Sequence, residues 1–60
     1  MLEKLPKDPV ILLSTLNTKL RDMYASLDEL CEELEVSRHV LEETLEGIDY
    51  RYNEEKNQFE

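Results

Sequence analysis

Two side chains in this 60-residue sequence carry the chemistry of a nucleophile and a base, Cys31 and His39. A thiol attacks as the thiolate, which requires a neighbouring base and at least partial exposure. Helical spacing puts Cys31 on an apolar face and His39 on an outward one, so the pair predicts a buried structural thiol and no catalytic centre. Asp49 to Glu60 has the length of a calcium-binding loop, with Asp49, Asn53 and Glu60 at suitable places. Arg51 takes a further ligand position, and Glu54 stands where the sharp turn needs glycine, which argues against calcium. No catalytic residue, cofactor or metal is expected, and the chain reads as a non-enzyme. A pocket of about 300 Å³ or more, the size that encloses a small molecule, is not expected in so short a chain.

The other chemistry on offer is cationic. Arg38 and His39 open the second helix of a segment, Leu30 to Leu45, with helix-turn-helix spacing, the unit that places a helix in the DNA major groove. Cys31 holds the small-residue position, Leu34 and Val36 bracket the turn, Ser37 caps the second helix, and Leu41 and Leu45 point into the core. Lys19 and Arg21, with Lys4 and Lys7, form a basic cluster. Lys19, Arg21, Arg38 and His39 are therefore the residues for a nucleic-acid contact. Phosphate recognition rests on lysine and arginine, yet the outward positions after His39 are Glu42, Glu43 and Glu46. Glu35 also stands where a turn of this kind favours glycine, and a left-handed backbone there costs about 1 kcal/mol or more.

Net charge is −8, from 7 basic and 15 acidic residues. Residues 1–25 hold four basic side chains against three acidic, a net of +1, and residues 26–60 hold three against twelve, a net of −9. The acidic half repels phosphate and anionic lipid and suits a basic partner or solubility. The apolar run Val10–Leu13 is too short for a signal-peptide core or a membrane span. With a single cysteine, a cytoplasmic protein is the expectation.

These side chains need elements to hold them. Residues 1–60 read as a single small domain: an arm (1–7), three helices (8–48) and a hairpin (49–60). Asp8 caps helix 1 and Pro9 fits its first position, so the helix runs from about Pro9 to Met23 or Ala25. Leu13, Leu16, Leu20 and Met23 form its apolar stripe. Ser26 and Glu29 form a capping box for a second helix over Leu27–Leu34, with Leu27, Leu30, Cys31 and Leu34 inward. Ser37 caps a third over Arg38–Glu46, with Val40, Leu41, Thr44, Leu45 and Ile48 inward, and Gly47 is placed for a left-handed helix end. Tyr50-Arg51-Tyr52, a polar turn and Gln58-Phe59 read as a hairpin packed on the helices through Tyr50 or Tyr52 and Phe59. The fold class is mainly α: a three-helix, helix-turn-helix-like bundle with a short C-terminal two-stranded β-hairpin.

A domain of this size buries only about 60% of its unfolded surface, and its single cysteine rules out an internal disulfide. Helix 1 has more apolar surface than one small neighbour covers. Val10, Ile11, Leu12, Asn17 and Tyr24 are accordingly the expected contact residues for a homodimer or another protein. Asn17 has two readings: a self-pairing amide that sets register at a dimer seam, or an amide at the stripe's edge bonded to a loop carbonyl.

Several segments together resemble a family of small bacterial proteins of unknown function. They are Leu5-Pro6-Lys7-Asp8-Pro9-Val10-Ile11-Leu12-Leu13-Ser14, Asn17-Thr18-Lys19-Leu20-Arg21-Asp22, Ser26-Leu27-Asp28-Glu29-Leu30-Cys31, and Tyr50-x-Tyr52-Asn53 closing on Asn57-Gln58-Phe59. The resemblance spans nearly the whole chain. It implies a bacterial, cytoplasmic protein and assigns no activity. The leading expectation is a small protein-interaction module that self-associates through helix 1. The alternative is a minimal winged-helix-like transcription regulator.

Overall fold

A computed structural model describes residues 5–60. Three helices, α1 (Pro9–Asp22), α2 (Leu27–Leu34) and α3 (Arg38–Glu46), precede an antiparallel hairpin of β1 (Tyr52–Asn53) and β2 (Gln58–Phe59). Each helix starts where a side chain satisfies its free N–H groups. Asp8 Oδ1 accepts from the backbone of Val10 at 2.9 Å and Ile11 at 3.3 Å. Ser26 Oγ accepts from Glu29 at 3.1 Å and Ser37 Oγ from Val40 at 3.4 Å.

The ends of α2 and α3 are closed by non-glycine residues in left-handed backbone. Glu35, with φ 55° and ψ 47°, ends α2. Its turn brings the Val36 N–H to the Cys31 carbonyl at 3.0 Å, a Schellman-type closure. Gly47, placed by its sequence at the left-handed position after α3, is right-handed with φ −60°. The chain stays helical-like for two more residues, which lets Ile48 pack on the core. Asp49 makes the reversal at φ 64°, and the Tyr50 N–H returns to the Leu45 carbonyl at 3.0 Å.

The core consists of Leu12, Leu16 and Leu20 of α1, Leu27, Leu30, Cys31 and Leu34 of α2, Leu41 and Leu45 of α3, and Phe59 of β2. Three sequence expectations are corrected. The buried stripe of α1 is Leu12–Leu16–Leu20, rotated from the expected one, with Leu13 half-buried. Met23 is exposed because the helix ends at Asp22 and the chain turns away. Val40 is also exposed: Leu41 and Leu45 already fill the inward face of α3. Leu5 packs against the core, so the end of the arm is tied down, while Lys4 lies outside the described residues.

The hairpin is held by polar groups as much as by Phe59. Arg51 and Glu60 exchange backbone bonds of 3.0 and 2.9 Å, and Tyr52 pairs opposite Phe59. In antiparallel alternation the Phe59 N–H and C=O then face away from β1. Asn17 of α1 fills that edge. Its Nδ2 donates to the Phe59 carbonyl at 3.0 Å and its Oδ1 accepts from the Phe59 N–H at 2.7 Å. An amide side chain thus takes the place of a third strand, the kind of cover that an edge strand needs.

Candidate functional site

Between α1 and the hairpin runs an open groove of about 770 Å³. It exceeds the size expected of this chain. One wall is a continuous face of α1: Val10, Leu13, Ser14, Asn17, Thr18 and Arg21, with the buried Leu20 also lining it. The other is the hairpin, with Tyr50, Lys56 and Gln58 lining it. The spacing on α1 follows helical periodicity, so one helix face supplies the entire wall.

The far end of the groove is fixed by Asn57. This residue adopts left-handed backbone at φ 53°, a conformation that asparagine tolerates. Its Nδ2 donates to the Leu20 carbonyl at 3.0 Å and the Tyr24 carbonyl at 2.9 Å, capping the C-terminal end of α1. Its Oδ1 accepts from the Tyr52 hydroxyl at 2.6 Å, and that hydroxyl accepts from the Leu27 N–H at the start of α2 at 3.1 Å. The Tyr52 ring tilts against Phe59, with centroids 5.4 Å apart. Arg21 and Lys56 therefore lie at the end of the groove that Asn57 fixes, and Val10 lies at the other. Eleven positions along α1 separate Val10 from Arg21, about 16 Å at helical rise.

The residues expected to form a protein contact are divided among three environments. Val10 and Ile11 are 64% and 55% exposed. Leu12 drops out of that set, since it is 3% exposed and belongs to the core. Asn17 is half-buried and bound to Phe59, so its self-pairing reading gives way to a bond with backbone in the same chain. Tyr24 is half-buried against the core and accepts through its carbonyl from Asn57.

The four cationic candidates are not brought together. Arg38 turns back onto its own fold, its Nη1 donating to Asp28 at 2.8 Å, its Nε to Glu42 at 2.7 Å and its Nη2 to Glu54 at 3.4 Å. Its guanidinium also lies 5.3 Å from the Tyr52 ring centroid. The Asp28 and Glu42 carboxylates push its pKa upward. One arginine thereby joins α2, α3 and the hairpin turn, and its fork is spent on carboxylates instead of phosphates. His39 Nε2 lies 3.0 Å from Glu43. Arg21 pairs with Asp22 at 2.8 Å, whose carboxyl is held below its usual range chiefly by that hydrogen bond. Lys19 is half-buried on α1, and of the four only Arg21 lines the groove.

Cys31 is buried, and burial pushes its thiol above the ordinary value of 9.0. The unfolded thiol loses its proton at lower pH than the folded one. The folded state then binds more protons, and stability falls as pH rises through 9 and beyond. Urea midpoints between pH 8 and 10.5 are expected to decline more steeply in the wild type than in Cys31→Ala; parallel slopes would refute the assignment. Among the described residues no group of three or more His, Cys, Asp or Glu side chains could hold a metal ion. Asp49 serves as a turn residue, and Glu60 accepts from Asn53 and Gln58, which lowers its pKa. No helix among the described residues is long and apolar enough to cross a membrane.

Asn57, Tyr52, Tyr50 and Lys56 were not among the residues singled out as functional. A left-handed preference for asparagine at the last position of a four-residue turn was the available signal for Asn57. Its carbonyl partners, 33 and 37 residues away, have no local signature. No curated protein and no solved structure matches the chain. The model of the Domain of unknown function (DUF4250) matches residues 6–59, and with nearly its whole length covered the chain belongs to that family.

Proposed function

We propose that this protein is a small non-enzymatic interaction module that self-associates as a homodimer through the exposed face of α1. The observation that carries this reading is the exposure of two adjacent aliphatic side chains, Val10 and Ile11, on the first turn of that helix. Val10 stands at one end of the groove between α1 and the hairpin, and Ile11 extends the exposed aliphatic surface beside it. Arg38 weighs against the winged-helix alternative, because the first residue of α3 is bound to three carboxylates of its own fold.

Light scattering after size exclusion tests the dimer. At about 0.1 mM the mass is expected to be twice the monomer's 7.1 kDa. Each copy carries a net charge of −8, so two copies repel at long range. Raising salt from about 20 mM to 0.5 M shortens the screening length from roughly 20 Å to about 4 Å and is expected to strengthen association. A strict monomer in both buffers overturns the proposal. In a low-salt gel shift, DNA is expected to remain unbound, since non-specific phosphate binding needs an excess of cations and this chain carries a net charge of −8.

A further inference from the structure

We infer that the homodimer is isologous, with two α1 helices antiparallel across a twofold axis and each lying in the groove between the other copy's α1 and hairpin. This rests on the self-association proposed above and specifies its geometry. The first support is electrostatic. Acidic residues make up 15 of 60 positions, yet none of the residues lining the groove is an aspartate or glutamate. Two strongly acidic copies can meet here without setting carboxylate against carboxylate, and like-charge juxtaposition is what excludes wrong partners elsewhere.

The second support is positional. Seven residues of α1 line the groove, and six of them pair off about the midpoint between Thr15 and Leu16; the seventh, Leu20, is a buried core residue. In an antiparallel pair Val10 faces Arg21 of the other copy, Leu13 faces Thr18, and Ser14 faces Asn17. Each match is chemically sensible. The aliphatic stem of Arg21 covers Val10, the Thr18 methyl meets Leu13, and the Ser14 hydroxyl reaches the hydrogen-bonding capacity that Asn17 keeps beyond its two bonds to Phe59. A twofold contact requires this kind of self-complementary patch.

The geometry also sets a distance. Helix axes about 8–10 Å apart with Cα atoms about 2.3 Å from each axis leave facing Cα atoms roughly 3–5 Å apart sideways. Ser14 and its copy are offset by three residues along the axis, about 4.5 Å. Their separation of roughly 6–7 Å meets the range in which a disulfide closes.

The test therefore uses Ser14→Cys, an exposed position, with Glu33→Cys on the exposed side of α2 as reference. Under mild oxidation Ser14→Cys is expected to give a covalent dimer at least about tenfold faster than Glu33→Cys. Ser14→Glu, which sets two carboxylates across the axis, is expected to weaken the dimer more than tenfold in light scattering while circular dichroism stays that of the wild type. A dimer that persists in Ser14→Glu, with no preferential cross-linking of Ser14→Cys, overturns this geometry and leaves self-association standing. A wild-type chain that stays monomeric overturns both.

Discussion

Phe59→Ala is expected to leave the chain without a stable fold at 37 °C. Phe59 is 2% exposed and is the one aromatic ring in the fully buried core. Removing a buried phenylalanine side chain costs about 3–5 kcal/mol, whereas a 60-residue domain commonly holds about 3–9 kcal/mol in total. The loss also spreads beyond the cavity. The ring braces Tyr52, whose hydroxyl joins the start of α2 to Asn57. Far-UV circular dichroism during urea titration is expected to show no folded baseline for Phe59→Ala, while Phe59→Leu keeps a cooperative transition at a lower midpoint. An alanine variant with a wild-type midpoint would mean that the hairpin contributes little to the core.

Substitutions of Asn57 are expected to separate a backbone effect from a hydrogen-bond effect. Asn57→Ala removes the donor to two α1 carbonyls and the acceptor of the Tyr52 hydroxyl. Half-buried groups left without partners cost about 1–3 kcal/mol each when water cannot reach them. Alanine at φ 53° adds about 1 kcal/mol of left-handed strain. Together these predict a loss of about 2–4 kcal/mol. Asn57→Gly relieves the strain and keeps the hydrogen-bond loss, so it is expected to lie about 1 kcal/mol above alanine. Asn57→Asp keeps the acceptor for Tyr52 but sets a negative charge against the carbonyl end of α1, where the helix dipole is also negative. It is expected to be the least stable of the three. Denaturant midpoints decide the order, and a glycine variant as stable as the wild type would refute the hydrogen-bonding role.

The features legible in the sequence were those with short reach. Asp8, Ser26 and Ser37 act on N–H groups two or three residues away, and all three caps form as their residue types require. The hairpin follows from aromatic residues flanking a polar turn, and the Tyr52–Phe59 contact closes it. Where several residues compete, local pattern misplaces the result. Four consecutive aliphatic residues at the start of α1, Val10 to Leu13, allow two neighbouring stripes, and packing against α2, α3 and β2 selects the one through Leu12. Gly47 had the right type for a helix end, but the pull of Ile48 into the core moved the reversal to Asp49. Arg38 looked outward by periodicity alone. Three carboxylates on three different elements turned it inward, and only one of them, Glu42, is near it on the same helix.

The bond between Asn17 and Phe59 joins residues 42 positions apart. The hairpin that packs on α1 thus leaves a ribosome after all three helices. Helices α1 to α3 can gather through local contacts as they emerge, but the core lacks its aromatic ring until residue 59 is free of the exit tunnel. Long-range closures of this kind slow folding because chain entropy is lost before the contact forms. Until then α1 keeps its Asn17 amide and its last carbonyls open, so this helix waits for the hairpin before its surface takes final shape.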